Sequence, residues 1–149
     1  MNSADLFVKC LEAEAVQYVF GIPGEETLEL MDALEKSKTI RFIPVRHEQG
    51  AAFMADVYGR LTGKAGVCLS TLGPGATNLI TGVADATLDR APLVAISGQS
   101  ALSSAHKESH QYIDLNLLFR PITKWNTRVL TPKTVPEVVR KAFRIAQME

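Results

Sequence analysis

Cysteine is scarce in this 149-residue chain: Cys10 and Cys68 are the only two, both stand in apolar stretches, and neither belongs to a CxxC or a Cys/His pairing. A disulfide scaffold is thereby excluded, and neither a zinc knuckle nor a dithiol redox motif is supported. Both read as reduced core residues, the usual situation of free cysteine. Aromatics reach only 7%, with a single tryptophan, and no excess of charge exists, since 16 Lys+Arg stand against 16 Asp+Glu without any block of five like charges. An electrostatic footprint for nucleic acid or anionic lipid is therefore missing. Long hydrophobic runs are missing too. Residues 65–84 carry no charge, but Ser70, Thr71, Gly73, Pro74, Gly75, Thr77 and Asn78 interrupt them, which defeats a membrane span. The start, Met1 to Asp5, lacks a basic region and soon meets Lys9, Glu12 and Glu14, unlike a secretory signal, so a cytoplasmic protein is expected.

What is present is the composition of an ordinary globular domain: 46% hydrophobic and 21% charged residues, 10 Gly, 7 Pro and a mean hydropathy of +0.06. A chain of this size buries roughly 68–70% of the surface its unfolded form exposes, enough for one core. No repeat, low-complexity tract or interdomain linker appears, so residues 1–149 read as a single domain.

The pattern along the chain alternates strand, turn and helix. Ser3 is expected to cap a helix over 4–16, with a short strand at Tyr18-Val19-Phe20 and a break at Gly21-Ile22-Pro23-Gly24. A helix over 25–36 and a strand over 40–45 follow. Residues 47–61 read as a helix whose Gly50, Ala51, Ala52 and Ala55 permit close approach to a neighbour, and Gly63 ends it. Then come a strand over 65–71, a tight turn at Gly73-Pro74-Gly75, a helix over 76–88 and a strand over 93–97. Residues 99–121 are irregular, with a short helical piece near 115–119. An extended segment over 123–130 and a last helix from Thr134 or Pro136 complete the pattern. Strands that are apolar throughout, separated by helices, imply a parallel sheet buried on both faces. The expected fold is α/β, a three-layer domain with a central parallel sheet flanked by helices.

Open sheets of this kind bind ligands at the carboxyl ends of their strands. Three turns lie there: Gly21–Gly24, Arg46-His47-Glu48 and Thr71–Asn78. Gly73-Pro74-Gly75-Ala76-Thr77-Asn78 begins like a dinucleotide fingerprint but has Asn at the third glycine position, and no suitably placed acid follows the next strand. Gly59 to Ala65 has one residue too few between its glycines, and no hydroxyl after Lys64, for a P-loop. Gly73-Pro74-Gly75 reads equally as a tight turn or as a set of exposed amides with Asn78 facing a ligand. Glu48 follows an apolar strand and opens a helix of small residues, so its carboxylate is expected to be at least partly buried, with Arg46, His47 and the helix N-terminus as compensating groups. The plain account is an acid stabilised by the helix dipole, with His47 as a cap. His106 and His110 are spaced i, i+4, but no HExxH pattern or third ligand accompanies them, so His106, Glu108, His110 and Asp114 read as a surface loop. Trp125 is expected to anchor the core or an interface.

Phe20-Gly21-Ile22-Pro23-Gly24, the stretch Arg46-His47-Glu48-Gln49-Gly50-Ala51-Ala52-Phe53-Met54-Ala55-Asp56, Gly73-Pro74-Gly75-Ala76-Thr77-Asn78, and Phe119-Arg120-Pro121-Ile122-Thr123-Lys124 occur in this order. Together they resemble the N-terminal, pyrimidine-binding domain of thiamin-diphosphate enzymes, above all the large subunits of the acetolactate synthase family. The resemblance covers nearly the whole chain. It implies that this kind of domain holds the aminopyrimidine of thiamin diphosphate, while a separate domain of a partner chain holds the diphosphate and Mg²⁺. Glu48 falls on the activating glutamate, whose carboxyl hydrogen-bonds the pyrimidine ring nitrogen and lets the exocyclic nitrogen take the thiazolium proton; the cofactor is the electron sink. Pro74 and Asn78 then lie by the pyrimidine, Gly24 in the glycine turn beside the active site, and Gln111 on the substrate side.

The implied reaction decarboxylates pyruvate and joins the two-carbon unit to a second 2-oxo acid, as in branched-chain amino acid biosynthesis. The implied partners are a second copy of the chain in a homodimer or tetramer and a regulatory small subunit, with FAD as a further cofactor open to the full-length protein. Two departures stand out. The biosynthetic enzymes follow Gly24 with another glycine, whereas Glu25 and Glu26 stand here, placing carboxylates near an anionic substrate. His110 replaces the usual phenylalanine, a feature more like the catabolic acetolactate synthases. Family domains also continue past a helix like 134–148 into a final strand of the same sheet, and the Gly-Asp-Gly segment that carries Mg²⁺ is absent, so a fragment of a longer protein is expected. Pyruvate oxidase or glyoxylate carboligase types are the neighbouring enzymatic readings, and a non-catalytic assembly domain is the reading from another class.

Overall fold

The computed structural model describes residues 2–104 and 107–148. Four strands, β1 (Tyr18–Gly21), β2 (Arg41–Pro44), β3 (Gly66–Ser70) and β4 (Leu93–Ser97), form one sheet in the order β2-β1-β3-β4, every adjacent pair parallel. Around it lie α1 (Ser3–Ala13), α2 (Leu28–Lys36), α3 (Glu48–Thr62), α4 (Pro74–Leu88), α5 (Leu115–Phe119) and α6 (Val135–Gln147). The period-2 geometry of a strand sends alternate side chains to opposite faces. Val67 and Leu69 of β3 accordingly join a core with α1, α2 and α6, while Cys68 between them joins a second core with α3 and α4. This is the expected three-layer α/β arrangement.

Burial on both faces holds for β3, all of whose residues are buried, but not for β4, all of whose residues are only half-buried. The reason is its position: β4 pairs with β3 along one edge, and on its other side lies a groove of about 580 Å³ lined by Trp125 to Leu130 and by α6. The segment 123–130, expected to be extended, forms no strand. Arg128 donates to the carbonyl of Ser100 at 2.6 Å, but no ladder joins the two stretches.

Several boundaries shift for local reasons. Asn2, not Ser3, caps α1: its side chain accepts the Asp5 N–H at 2.8 Å, and the Asp5 carboxylate accepts the Asn2 N–H at 3.1 Å. That helix ends at Ala13, and Ala15 turns the chain with φ of 58°. The second helix opens with a 3₁₀ turn over Glu25–Thr27, where the Gly24 N–H donates to the Thr27 hydroxyl at 2.9 Å. Helix α4 starts at Pro74, two residues earlier than expected, because proline suits the first helical position, where its missing N–H is no loss.

Helices α3 and α4 pack closely through the small residues expected to do so. Ala51, Ala52 and Ala55 are fully buried, and a Cβ added at Gly82 would stand 2.5 Å from that of Ala52. At the far end Arg60 clasps the two helices, bonding the buried Asp56 of α3 at 2.5 Å, Asp85 of α4 at 2.9 Å and Asp89 at 2.5 Å. The Asp56 hydrogen bonds, and then the charges of all three carboxylates, hold the guanidinium even more firmly protonated than usual.

Candidate functional site

The chain leaves β1 in two senses: β2 lies on one side of it and β3, reached next, on the other. That reversal opens a crevice between the carboxyl ends of β1 and β3, the place where open α/β sheets receive ligands. The turns after β1, β2 and β3 all reach this end of the sheet.

Glu48 is the first residue of α3, and it is only 8% exposed. His47 precedes it as the cap, its Nδ1 accepting the Gln49 N–H at 3.2 Å, which is the capping role expected of that histidine. Asn78, from the second turn of α4, donates its Nδ2 hydrogen to Glu48 Oε2 at 2.9 Å. Among the described residues no donor reaches the other oxygen, Oε1. It faces Gly75, where an added Cβ would stand 3.3 Å away. One carboxylate oxygen is thus fixed, and the other lies without a donor against Gly75, where Thr71, Glu48 and Ser70 leave no room for a side chain. A carboxyl so held, at the positive end of a helix, can share a proton with a ligand nitrogen.

Gly24 lies across this crevice, and its lack of a side chain is a packing requirement, since a Cβ there would meet Thr71 Cβ at 2.4 Å. The Thr71 side chain fills the interval between the two glycine turns, with Cγ2 2.9 Å from a Cβ at Gly75. Its hydroxyl donates to Glu26 at 2.7 Å, and its carbonyl accepts from Ser97 at 2.9 Å and from Ser70 at 3.0 Å. Thr71 was not singled out from sequence. The available signal was a hydroxyl residue directly after a fully buried strand, at the carboxyl end where sites form.

Gln111 sits in an uncommon left-handed conformation, with φ of 55°. Its carbonyl oxygen would be 2.5 Å from a Cβ at Gly73, itself at φ of 54°, so only glycine serves there. The loop therefore brings Gln111 against the turn that leads into Pro74, and both residues are exposed. The five residues expected at the site thus fall into two contact sets: Glu48, Asn78 and Gly24 around Thr71 and Gly75, and Gln111 beside Gly73 and Pro74.

Other expectations land elsewhere. His106 lies outside the described residues; His110 and Glu108 are exposed, and Asp114 caps α5 by accepting the Leu117 N–H at 3.0 Å. Among the described residues no group of three or more His, Cys, Asp or Glu could hold a metal ion. Trp125 is half-buried on the groove beside β4, with Lys141 Nζ 4.9 Å from its ring centre. Cys68 is a core thiol, and burial pushes it up to about 12. Cys10, expected in the core, is half-buried and packs against the edge of the first core, its thiol raised by partial desolvation and by Glu14. No helix among the described residues is long and apolar enough to cross a membrane.

The parallel sheet and its crevice define a ligand-binding α/β domain, and residues 1–118 match the family described as "Thiamine pyrophosphate enzyme, N-terminal TPP binding domain", to which the chain belongs. Within that class it is 48% identical over 147 residues to a "Probable acetolactate synthase large subunit" of Methanococcus aeolicus, a match that covers 99% of this chain and 24% of the relative. It is 48% identical over 146 residues to "Acetolactate synthase, catabolic" of Raoultella terrigena, covering 98% of this chain and 26% of that protein. "Acetolactate synthase" of Bacillus subtilis is 48% identical over 145 residues, covering 97% and 25%. The chain spans about a quarter of the length of these relatives.

Proposed function

We propose that this chain holds the aminopyrimidine half of thiamin diphosphate in a carboligase of acetolactate synthase type, which decarboxylates pyruvate and joins the two-carbon unit to a second 2-oxo acid. The observation that carries the reading is Glu48, a buried carboxylate with Oε2 anchored by Asn78 and Oε1 without a donor among the described residues. The residues fit the group. A planar ring with a weakly basic nitrogen needs an acid at its edge, and Glu48 offers one, held by Asn78 through Oε2 and without a donor on Oε1 among the described residues. When bound, the cofactor supplies the electron sink for decarboxylation.

Glu48 would share a proton with the pyrimidine ring nitrogen through Oε1, the oxygen that Asn78 leaves free, while the Asn78 hydrogen bond to Oε2 holds the carboxyl in place. Pro74 borders the ring, and Gln111 lies on the substrate side. Glu48 opens α3 at the loop end of the sheet, and the reading needs a second wall there to enclose the cofactor. In this reading a second copy of the chain, in a homodimer or tetramer, supplies that wall through a separate domain that holds the diphosphate and Mg²⁺. The reading leaves FAD and a regulatory small subunit open to the full-length protein, and it sets the assembly in the cytoplasm.

The test uses the full-length protein with thiamin diphosphate, Mg²⁺ and pyruvate. Acetolactate is the expected product, and Glu48→Gln is expected to keep the native circular dichroism while lowering carboligation by about two or more powers of ten, the scale of acid–base contributions. Near-wild-type turnover in Glu48→Gln would remove the residue from this role. Absence of acetolactate would move the assignment to a pyruvate oxidase or glyoxylate carboligase type.

A further inference from the structure

Helices α3 and α4 each leave the carboxyl end of a strand of the parallel sheet, so they run side by side in the same direction and meet at matched levels. At the first level Asn78 donates to Glu48 Oε2 at 2.9 Å. About one turn on, a Cβ at Gly82 would stand 2.5 Å from that of Ala52, and about two turns further Arg60 reaches Asp85 and Asp89. The middle of this seam is alanine and glycine, side chains too short to stop one helix from sliding along the other. The lock lies at the far end, where Arg60 commits all three guanidinium nitrogens. Its Nε and Nη2 hold Asp56 of its own helix at 2.9 and 2.5 Å, Nη2 also reaches Asp85 at 2.9 Å, and Nη1 reaches Asp89 at 2.5 Å. Asp56 is buried, and its two-point grip fixes the direction in which the fork faces α4. Asp85 and Asp89 stand in the last turn and at the C-cap of α4, where the helix dipole opposes negative charge and no basic residue of that turn offsets it, so Arg60 is the cation they bind.

From this arrangement we infer that Arg60 is a positioning residue for the cofactor site: by clasping Asp85 and Asp89 it sets the level of α4 along α3, and so holds Asn78 against Glu48 Oε2 at the other end of the pair. The inference rests on the proposed cofactor site at Glu48. A slip of one residue moves a helix by about 1.5 Å along its axis, enough to open the 2.9 Å bond. Arg60 lies about 18 Å along α3 from Glu48, so it acts only through the helices. A purely structural role predicts something else. A contact that only adds stability lowers the unfolding midpoint and leaves cofactor affinity alone, whereas a positioning contact is felt through Asn78 and has no effect once Asn78 is gone.

The experiment cuts only the ties between the helices. Asp85→Ala combined with Asp89→Ala removes both carboxylates of α4 and leaves the Arg60–Asp56 pair, so no buried charge is stranded. The combination is made in the full-length protein, with Asn78 present and in an Asn78→Ala background. Thiamin diphosphate affinity is read in each by fluorescence titration with Mg²⁺, and stability by urea unfolding. The expected result is a Kd raised about three- to tenfold when Asn78 is present, the scale of coupling within one network, and changed less than about twofold when it is absent. In the protein without cofactor, hydrogen–deuterium exchange followed by mass spectrometry is expected to quicken over the first turns of α3 and α4. An unchanged Kd overturns the inference, as does an equal rise in both backgrounds, which marks lost stability alone. If the combined substitutions unfold the chain, Asp85→Ala and Asp89→Ala carry the same comparison singly. A full-length protein that binds no thiamin diphosphate fails the parent reading separately. Hydrogen exchange then decides on Arg60, and equal rates at the first turns of α3 and α4 overturn its role.

Discussion

Gly75 shows how much of this site consists of what is left out. A methyl group there would stand 2.9 Å from Thr71 Cγ2 and 3.3 Å from Glu48 Oε1. The clash must displace Thr71 or Glu48, so Gly75→Ala is expected to weaken thiamin diphosphate binding about tenfold or more in the full-length protein. Unchanged affinity in a fluorescence titration would show that the placing of Glu48 Oε1 against Gly75 does not bear on the cofactor. Cys68 allows a test that needs no ligand. Its thiol is pushed from 9.0 to about 12 by burial, so between those values the unfolded chain has lost a proton that the native chain keeps. Stability from this group is therefore intact below pH 9 and declines as pH rises beyond it, and Cys68→Ala is expected to flatten that slope in urea titrations. A thiol reagent at neutral pH is likewise expected to leave Cys68 unmodified in the native protein. Glu48, Asn78 and Gly24 were legible in the sequence because each sits in a turn of strong composition. Thr71 was not, because a lone threonine beside glycines looks like any loop residue until two turns are seen to close upon it.

At the scale of elements, the α3–α4 contact was legible in advance because small residues recur on one face, and glycine or alanine there has no other evident use. Gly82→Ala would force Cβ atoms to within 2.5 Å at Ala52, so it is expected to destabilise the fold by about 1–3 kcal/mol, read as a lower urea midpoint with an unchanged m-value. No shift would mean that the two helices separate freely. The burial of β4 was misjudged for a physical reason. An apolar run announces a strand, but not which of its edges will be paired, and Leu93–Ser97 reads no differently from Gly66–Ser70. The stretch over 123–130 has strand-like residues and an extended course but no ladder, and hydrogen bonding is a property of neighbours that local composition does not encode.

Across the whole molecule, one end of the sheet gathers the three turns around Glu48, while the open flank of β4 forms the groove of about 580 Å³. Apolar and half-buried, that groove is expected to bind anilinonaphthalene sulfonate and raise its fluorescence in the native chain, whereas a signal equal to buffer would mean that it is closed in solution. The parallel order and the two cores were readable from the alternation of strands and helices. The hydrogen bond from Asn78 to Glu48 was not, since it depends on how two helices dock. The central claim is that Glu48 moves a proton for a thiamin cofactor. It is tested most directly by hydrogen–deuterium exchange at C2 of thiamin diphosphate bound to the full-length protein, followed by NMR after rapid quench. Exchange slowed by about two powers of ten or more in Glu48→Gln, with cofactor still bound, is the predicted result. Equal exchange rates in wild type and variant would contradict the account.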